Sequence, residues 1–193
     1  TIQEPTDAII KVAATCVCGS DLWPYRGIED VDHAPMGHEY VGTVTEVGDQ
    51  VSSIRVGDFV VGSFFASDNT CEICRAGYQS RCVHAEPMGA LGTQAEYARI
   101  PHADGTLVPT PGQPDADLIP SLLAASDVLG TGWFGAVAAE VGPGKTVAVV
   151  GDGAVGLLGV LAAKQLGAER IIAMSRHADR QALAREFGAT DIV

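Results

Sequence analysis

Cys71-Glu72-Ile73-Cys74, followed by Cys82, brings three thiols into one short stretch. Thiolates at Cys-x-x-Cys spacing are zinc ligands, and a structural zinc takes four donors in a tetrahedron. Asp68 stands two intervening residues before Cys71 and repeats the Cys71–Cys74 spacing. A carboxylate oxygen also ligates zinc, so Asp68 is the candidate fourth ligand. Three reduced surface thiols, or one disulfide with a spare thiol, would leave the same pattern of residues.

A second constellation is dispersed. Cys18-Gly19-Ser20-Asp21 presents a thiol and a hydroxyl together, and Gly37-His38-Glu39 follows later. A catalytic zinc uses three protein ligands and keeps one coordination position open for water or substrate. Cys18 and His38 offer two. Taken alone, a Cys and a His so far apart are more commonly core residues than ligands.

The third constellation, Gly151-Asp152-Gly153-Ala154-Val155-Gly156, fits G-x-G-x-x-G. It follows an apolar β-branched run and opens a helical pattern, the context that dinucleotide binding needs. Gly151 permits the tight turn, Gly153 lets backbone approach a pyrophosphate, and Gly156 allows close helix–strand packing. N–H groups of Ala154, Val155 and their neighbours at the helix start would face the phosphates. A glycine turn in some other α/β protein is the plainer alternative. The next predicted strand ends in Ser175-Arg176-His177, with no carboxylate before Asp179. A small hydroxyl followed by Arg suits a 2′-phosphate better than a 2′-hydroxyl, which favours NADP over NAD.

These residues need elements to hold them. The runs 8–14, 41–47 and 59–65 read as strands, with Gly48-Asp49 turning the chain between the last two. Short strands punctuated by Gly and Asp continue to about Pro111, giving an irregular, mostly β front half. Pro109, Pro111, Gly112 and Pro114 mark a break. Helices are predicted over 119–125 and 133–140, then a strand over 146–150, a helix over 154–166, a strand over 171–174, a helix over 180–187 and a strand from Asp191. That βαβαβ alternation implies a parallel sheet. It stops at its third strand, so the sequence predicts an incomplete doubly wound domain.

Acidic residues outnumber Lys and Arg 24 to 12, for a formal charge of −12. That balance argues against nucleic acid or an anionic membrane as partner. No apolar run is long enough to span a bilayer. Thr1–Pro5 has neither a basic start nor an apolar core, so no signal peptide is expected. Five cysteines without an export signal suit metal binding in the cytoplasm better than a disulfide framework.

Cys-Gly-Ser-Asp, then Gly-His-Glu, then Cys-x-x-Cys with a later Cys, then G-x-G-x-x-G occur in that order. The combination resembles the zinc-dependent medium-chain alcohol dehydrogenases, over essentially the whole chain. The resemblance implies an α/β chain: a mostly β, GroES-like catalytic domain over 1–117, then the start of a Rossmann domain over 118–193. It implies that Cys18 and His38 ligate the catalytic zinc and that Glu39 is the neighbouring glutamate that binds zinc in part of the cycle in some members. Ala125-Ser126-Asp127-Val128-Leu129-Gly130-Thr131-Gly132 is similar to the aspartate version of the third-ligand segment, found in secondary alcohol dehydrogenases. Asp127 matches the ligand there, and Thr131 is counted with the cofactor-binding residues. Ser20 matches the hydroxyl that contacts the substrate oxygen and begins a proton path. The family's next station is a His, and here Trp23 stands in its place. Asp68, Cys71, Cys74 and Cys82 match the structural zinc site, with Asp68 replacing its first Cys.

The implied reaction is hydride transfer between an alcohol, or its aldehyde or ketone, and NAD(P), in a homodimer or homotetramer. A zinc-free quinone-reductase-like member would have no use for Cys18, His38 or the Cys71–Cys82 cluster. A non-catalytic zinc- and nucleotide-binding protein is the alternative from another class.

Overall fold

The computed structural model describes residues 1–31, 35–87 and 92–193. The chain divides into two units, Thr1–Ser126 and Asp127–Val193.

The first unit contains strands β1 (Ala8–Thr15), β2 (Tyr40–Val47), β3 (Phe59–Gly62), β4 (Phe65–Ala66), β5 (Glu86–Pro87), β6 (Tyr97–Ile100) and β7 (Leu107–Pro109). Its short helices are α1 (Leu22–Tyr25), α2 (Glu72–Arg75), α3 (Ala103–Thr106) and α4 (Ile119–Ala124). Five strands form an antiparallel sheet in the order β6-β1-β2-β3-β7, and β4 pairs with β5 separately. The β-branched and aromatic residues that prefer a pleated surface supply the core: Ile10, Tyr40, Val44, Val60 and Ile100 are fully buried. Tyr40 lies across Gly62, where any Cβ would overlap its ring. Asp7, also fully buried, stands immediately before β1. It accepts N–H groups of Gln3 (3.0 Å) and Glu4 (2.9 Å) and the Arg99 guanidinium (2.9 Å).

The single strand expected over 59–65 is two. The Ser63 hydroxyl accepts the Phe65 N–H at 3.1 Å, and the Ser63 N–H turns to Thr106 O at 3.0 Å. Local side-chain bonding of this kind competes with a sheet ladder and diverts the chain. Phe65 therefore joins β5 rather than continuing along β2.

The second unit contains α5 (Val128–Ala138), β8 (Thr146–Val150), α6 (Ala154–Gln165), β9 (Arg170–Met174), α7 (Ala178–Phe187) and β10 (Asp191–Ile192). Its three strands are parallel, in the order β10-β9-β8, as the βαβαβ pattern predicts. Leu157, Val160, Ala163, Ile171, Ala173 and Ala184 form its core. The helix expected over 133–140 begins five residues earlier, at Val128, and ends at Ala138. Gly132 lies against the backbone of Val155, Leu158 and Gly159 in α6, so helix packing outweighs glycine's poor propensity there.

The boundary expected at 117/118 falls instead between Ser126 and Asp127. The proline-rich break misleads because α4, beyond it, packs on the first unit: Leu123 is buried with Val41 and Phe59. Among the described residues no single helix is long and apolar enough to cross a membrane.

Candidate metal centres and nucleotide turn

Cys18 and His38 come from opposite ends of one cross-strand pair. Thr15, the last residue of β1, is the register partner of Tyr40, the first of β2. Thr15 Oγ1 donates to Glu39 O at 2.9 Å, and Cys16 N donates to the same oxygen. Cys18 then opens a 3₁₀ turn, Gly19–Asp21, with its N–H on Asp21 Oδ2 at 2.8 Å. On the other side, Gly37 O accepts from Thr93 N (3.1 Å) and Met36 O from Gln94 N (3.0 Å). Gly37 has φ +99°, and a Cβ there would meet Gln94 and Thr93, so the residue before His38 must be glycine.

The ligand atoms of Cys18, His38 and Glu39 lie within 4.8 Å of one another. Donors around one tetrahedral zinc stand about 3.4–3.8 Å apart, given Zn–S near 2.3 Å and Zn–N or Zn–O near 2.1 Å. The group therefore fits that ion in both chemistry and span. Asp21 is buried and organises it. Its Oδ1 lies 3.3 Å from His38 Nδ1, and its Oδ2 also accepts Gln94 Nε2 at 3.0 Å. An imidazole donating through Nδ1 carries its lone pair on Nε2, the usual arrangement for a metal-binding histidine.

Ser20 is half-buried in the same 3₁₀ turn, two residues past Cys18, and Trp23 is 52% exposed in α1. Asp127 opens the second unit as the residue before α5, half-buried, and its Oδ1 accepts the Thr131 hydroxyl at 3.0 Å. The residue before it, Ser126, is buried in the first unit. Ser126 donates its hydroxyl to Leu123 O at 2.7 Å, and its carbonyl accepts Phe64 N at 3.3 Å.

Asp68, Cys71, Cys74 and Cys82 converge within the first unit, their ligand atoms also within 4.8 Å of one another. Cys71 precedes α2, and Cys74 lies within it. Asp68 Oδ1 stands 3.5 Å from Cys74 Sγ and 3.3 Å from Cys82 Sγ. Its Oδ2 is held by His84 Nδ1 at 2.5 Å. N–H groups point at the sulfurs: Cys74 N at Cys71 Sγ, and both Asp68 N and His84 N at Cys82 Sγ. The Cys74 N–H and then the Val83 N–H lower the Cys71 thiol to about 7, whereas burial, followed by the neighbouring thiols, raises Cys74 to about 12. Three sulfurs and a carboxylate cannot all ionise side by side without a cation. A divalent ion would supply the charge this donor set lacks.

In the second unit Gly151 leaves β8 at φ +112°, and Gly153 caps α6, with Ala154 its first residue and Val155 its second. A Cβ on Gly156 would overlap Gly151 O, which is the close-packing role expected of that glycine. Gly151, Gly153, Ala154 and Val155 are exposed, so the first N–H groups of the helix face outward around an open turn. Val150 pairs in register with Met174, and this sets the glycine turn beside the end of β9. Ser175, buried there, donates its hydroxyl to Asp152 Oδ2 at 2.7 Å. Arg180 Nη1 donates to Asp152 Oδ1 at 2.9 Å, and Arg176 is exposed.

Asp21, Gln94, His84 and Asp152 were given no role from sequence. Asp21 and Asp152 lie inside the quoted motifs, so their positions were visible although their partners were not. Gln94 and His84 carried no sequence signal.

The alcohol dehydrogenase GroES-like domain family matches residues 4–112. The chain belongs to the zinc-type medium-chain alcohol dehydrogenases. Among members of this alcohol dehydrogenase family, the medium chain reductase/dehydrogenase ucsI of Acremonium sp is 39% identical over 97% of this chain and 67% of that protein. Zinc-type alcohol dehydrogenase B of Aspergillus flavus is 38% identical over 97% of this chain and 46% of its own length. The alcohol dehydrogenase TADH from Thermus sp. ATN1 superposes with a TM-score of 0.88 at 33% identity, covering all of this chain and 57% of that one. The chain thus spans about half to two-thirds of the length of these medium-chain alcohol dehydrogenases.

Proposed function

We propose that this protein is a zinc-dependent oxidoreductase that moves hydride between an alcohol and its aldehyde or ketone, with NAD(P) as the partner. What supports the reading above all is the convergence of Cys18, His38 and Glu39, from the ends of adjacent strands, into a donor set that suits an open zinc site. Asp127 supplies the third ligand in this reading, one peptide bond from the anchored Ser126. Glu39 stands by as an alternative donor. Bound there, zinc supplies Lewis acidity toward the substrate oxygen, and the nicotinamide supplies or accepts the hydride. The protein's own contribution is orientation. Asp21 fixes the His38 ring and the Cys18 backbone. Ser20, in the same turn, takes the hydroxyl proton of the substrate and passes it toward solvent. Trp23 shapes the substrate pocket. Asp68, Cys71, Cys74 and Cys82 hold a second, structural zinc.

For the dinucleotide we favour NADP over NAD, because the strand end carries Ser175 and Arg176 where a ribose-binding acid would stand. Gly151, Gly153, Ala154, Val155 and Gly156 cradle its pyrophosphate, with Thr131 near by in sequence role. Five cysteines without a disulfide suit the cytoplasm, and a homodimer or homotetramer is the expected assembly.

Purified protein should carry zinc and reduce NADP in the presence of an alcohol. Cys18→Ser should lose one zinc equivalent and lower kcat/KM by about 10³-fold, the scale of several kcal/mol of charge stabilisation. Unchanged zinc content together with unchanged alcohol oxidation in Cys18→Ser would overturn the assignment.

A further inference from the structure

The carboxylate missing from the end of the second parallel strand is present in space. Asp152 belongs to the glycine turn, yet its side chain reaches Ser175, the residue that ends β9, at 2.7 Å. The same carboxylate is bound by Arg180, in the first turn of α7, at 2.9 Å. Asp152 is mostly covered, its side chain 17% exposed, whereas that of Arg180 is 53% exposed. The parallel register of Val150 with Met174 enforces the contact, because it sets the two strand ends side by side. An acid and its compensating cation therefore meet at the place where a doubly wound fold discriminates a ribose 2′-hydroxyl from a 2′-phosphate.

We propose that Asp152 is a dinucleotide-specificity-determining residue. Its carboxylate opposes a 2′-phosphate beside Ser175, and Arg180 tempers that opposition by neutralising it. The inference rests on the dinucleotide reading of the glycine turn and deepens it. Ser175 and Arg176 incline the strand end toward NADP. Asp152 restores part of the discrimination that an acid on the strand would have exerted. The two effects leave a site that accepts both dinucleotides, with a preference set by one ion pair rather than by the strand-end residue alone. Charge determines the sign. A 2′-phosphate carries up to two negative charges, and a carboxylate a few ångströms away disfavours it, while a 2′-hydroxyl can donate to the same oxygen.

The test uses 2′,5′-ADP and 5′-ADP, which carry the adenosine half with and without the 2′-phosphate. Isothermal titration of the purified protein gives their affinity ratio directly, independent of turnover. Asp152→Asn keeps an acceptor for Ser175 and removes the charge. It should shift the ratio toward 2′,5′-ADP by about tenfold. Arg180→Gln leaves the acid uncompensated and should shift the ratio the other way by a similar factor. A merely structural clamp would weaken both probes alike in both variants, and that result would overturn the proposal. A ratio that does not move in either variant would overturn it too. Asp152→Ser, with a thermal melt for each variant, serves if Asp152→Asn does not fold. If the parent protein binds neither probe, the dinucleotide reading itself falls, an outcome distinct from binding with an unmoved ratio.

Discussion

Asp21 holds two of the proposed ligands with one carboxylate: Oδ2 takes the Cys18 N–H and Oδ1 faces His38 Nδ1. Gln94, far along the chain, donates to the same carboxylate and to Cys16 O. Outer partners of this kind tune metal affinity as strongly as some ligands do. Asp21→Ala should weaken zinc binding at the Cys18 site by about 10- to 100-fold, read by competition with a chromogenic chelator. It should leave the Asp68–Cys82 zinc in place. Affinity unchanged within a factor of two would remove Asp21 from that role. At the other cluster, Asp68→Ala should release the structural zinc, whereas Asp68→Cys should retain it, because a thiolate is an equally good tetrahedral donor. Metal analysis after dialysis distinguishes the two. The clustering of Asp68, Cys71, Cys74 and Cys82 was legible at this scale because their spacing is local to one short stretch of chain. The supporting residues were not. A histidine at 84 or a glutamine at 94 acquires meaning only when folding places it on a carboxylate.

Elements were legible where one period dominated. The run Thr146–Val150, the helix after it and the strand Arg170–Met174 all lie where hydrophobic pattern and glycine punctuation set them. The misplaced element ends share a cause. Phe59–Phe65 is apolar except at Ser63 and the glycine before it, and the Ser63 hydroxyl on the Phe65 N–H breaks it. The helix expected from Trp133 starts at Val128 instead, because α5 uses Gly132 to approach α6. Pattern describes one segment's preference, whereas these endings depend on a neighbour. Gly132→Ala tests the point. The added methyl would collide with backbone rather than a movable side chain, so the gain in helix propensity should be lost to overpacking. The second unit should be destabilised by about 1–3 kcal/mol, measured by urea unfolding followed by circular dichroism. A neutral or stabilising result would mean that the helices are free to separate.

Across the molecule, carboxylates in firm hydrogen bonds link folding to acid. Burial pushes Asp7 up, but the N–H groups of Glu4 and Gln3 and the Arg99 guanidinium outweigh it and leave its pKa lowered. Burial likewise raises Asp104, and Ser53 and Ser52 reverse the effect. The Arg170 guanidinium, then Thr190, hold Asp191 well below the ordinary range. A group depressed in the folded state contributes stability that is complete above its unfolded pKa, near 3.8 here, and is lost as pH falls through its folded value. The urea midpoint should therefore hold steady from about pH 7 to pH 5 and fall below about pH 4. Asp7→Asn should cost about 2–3 kcal/mol at neutral pH and make the acid limb shallower. An acid limb of unchanged slope would assign the sensitivity to other groups.

One register pair has consequences for how such a protein can diversify. Thr15 and Tyr40 close the excursion that carries Trp23, and Cys18 and His38 stand just inside its two ends. Closing a longer or shorter excursion changes chain entropy only slowly with length. Changes of length between Trp23 and Met36 should therefore cost little stability, while the Thr15–Tyr40 register keeps the Cys18 and His38 ends in place. On the proposed function, exchanging that interval would leave the proposed metal ligands untouched, and a library confined to it is the economical place to vary the pocket proposed around Trp23.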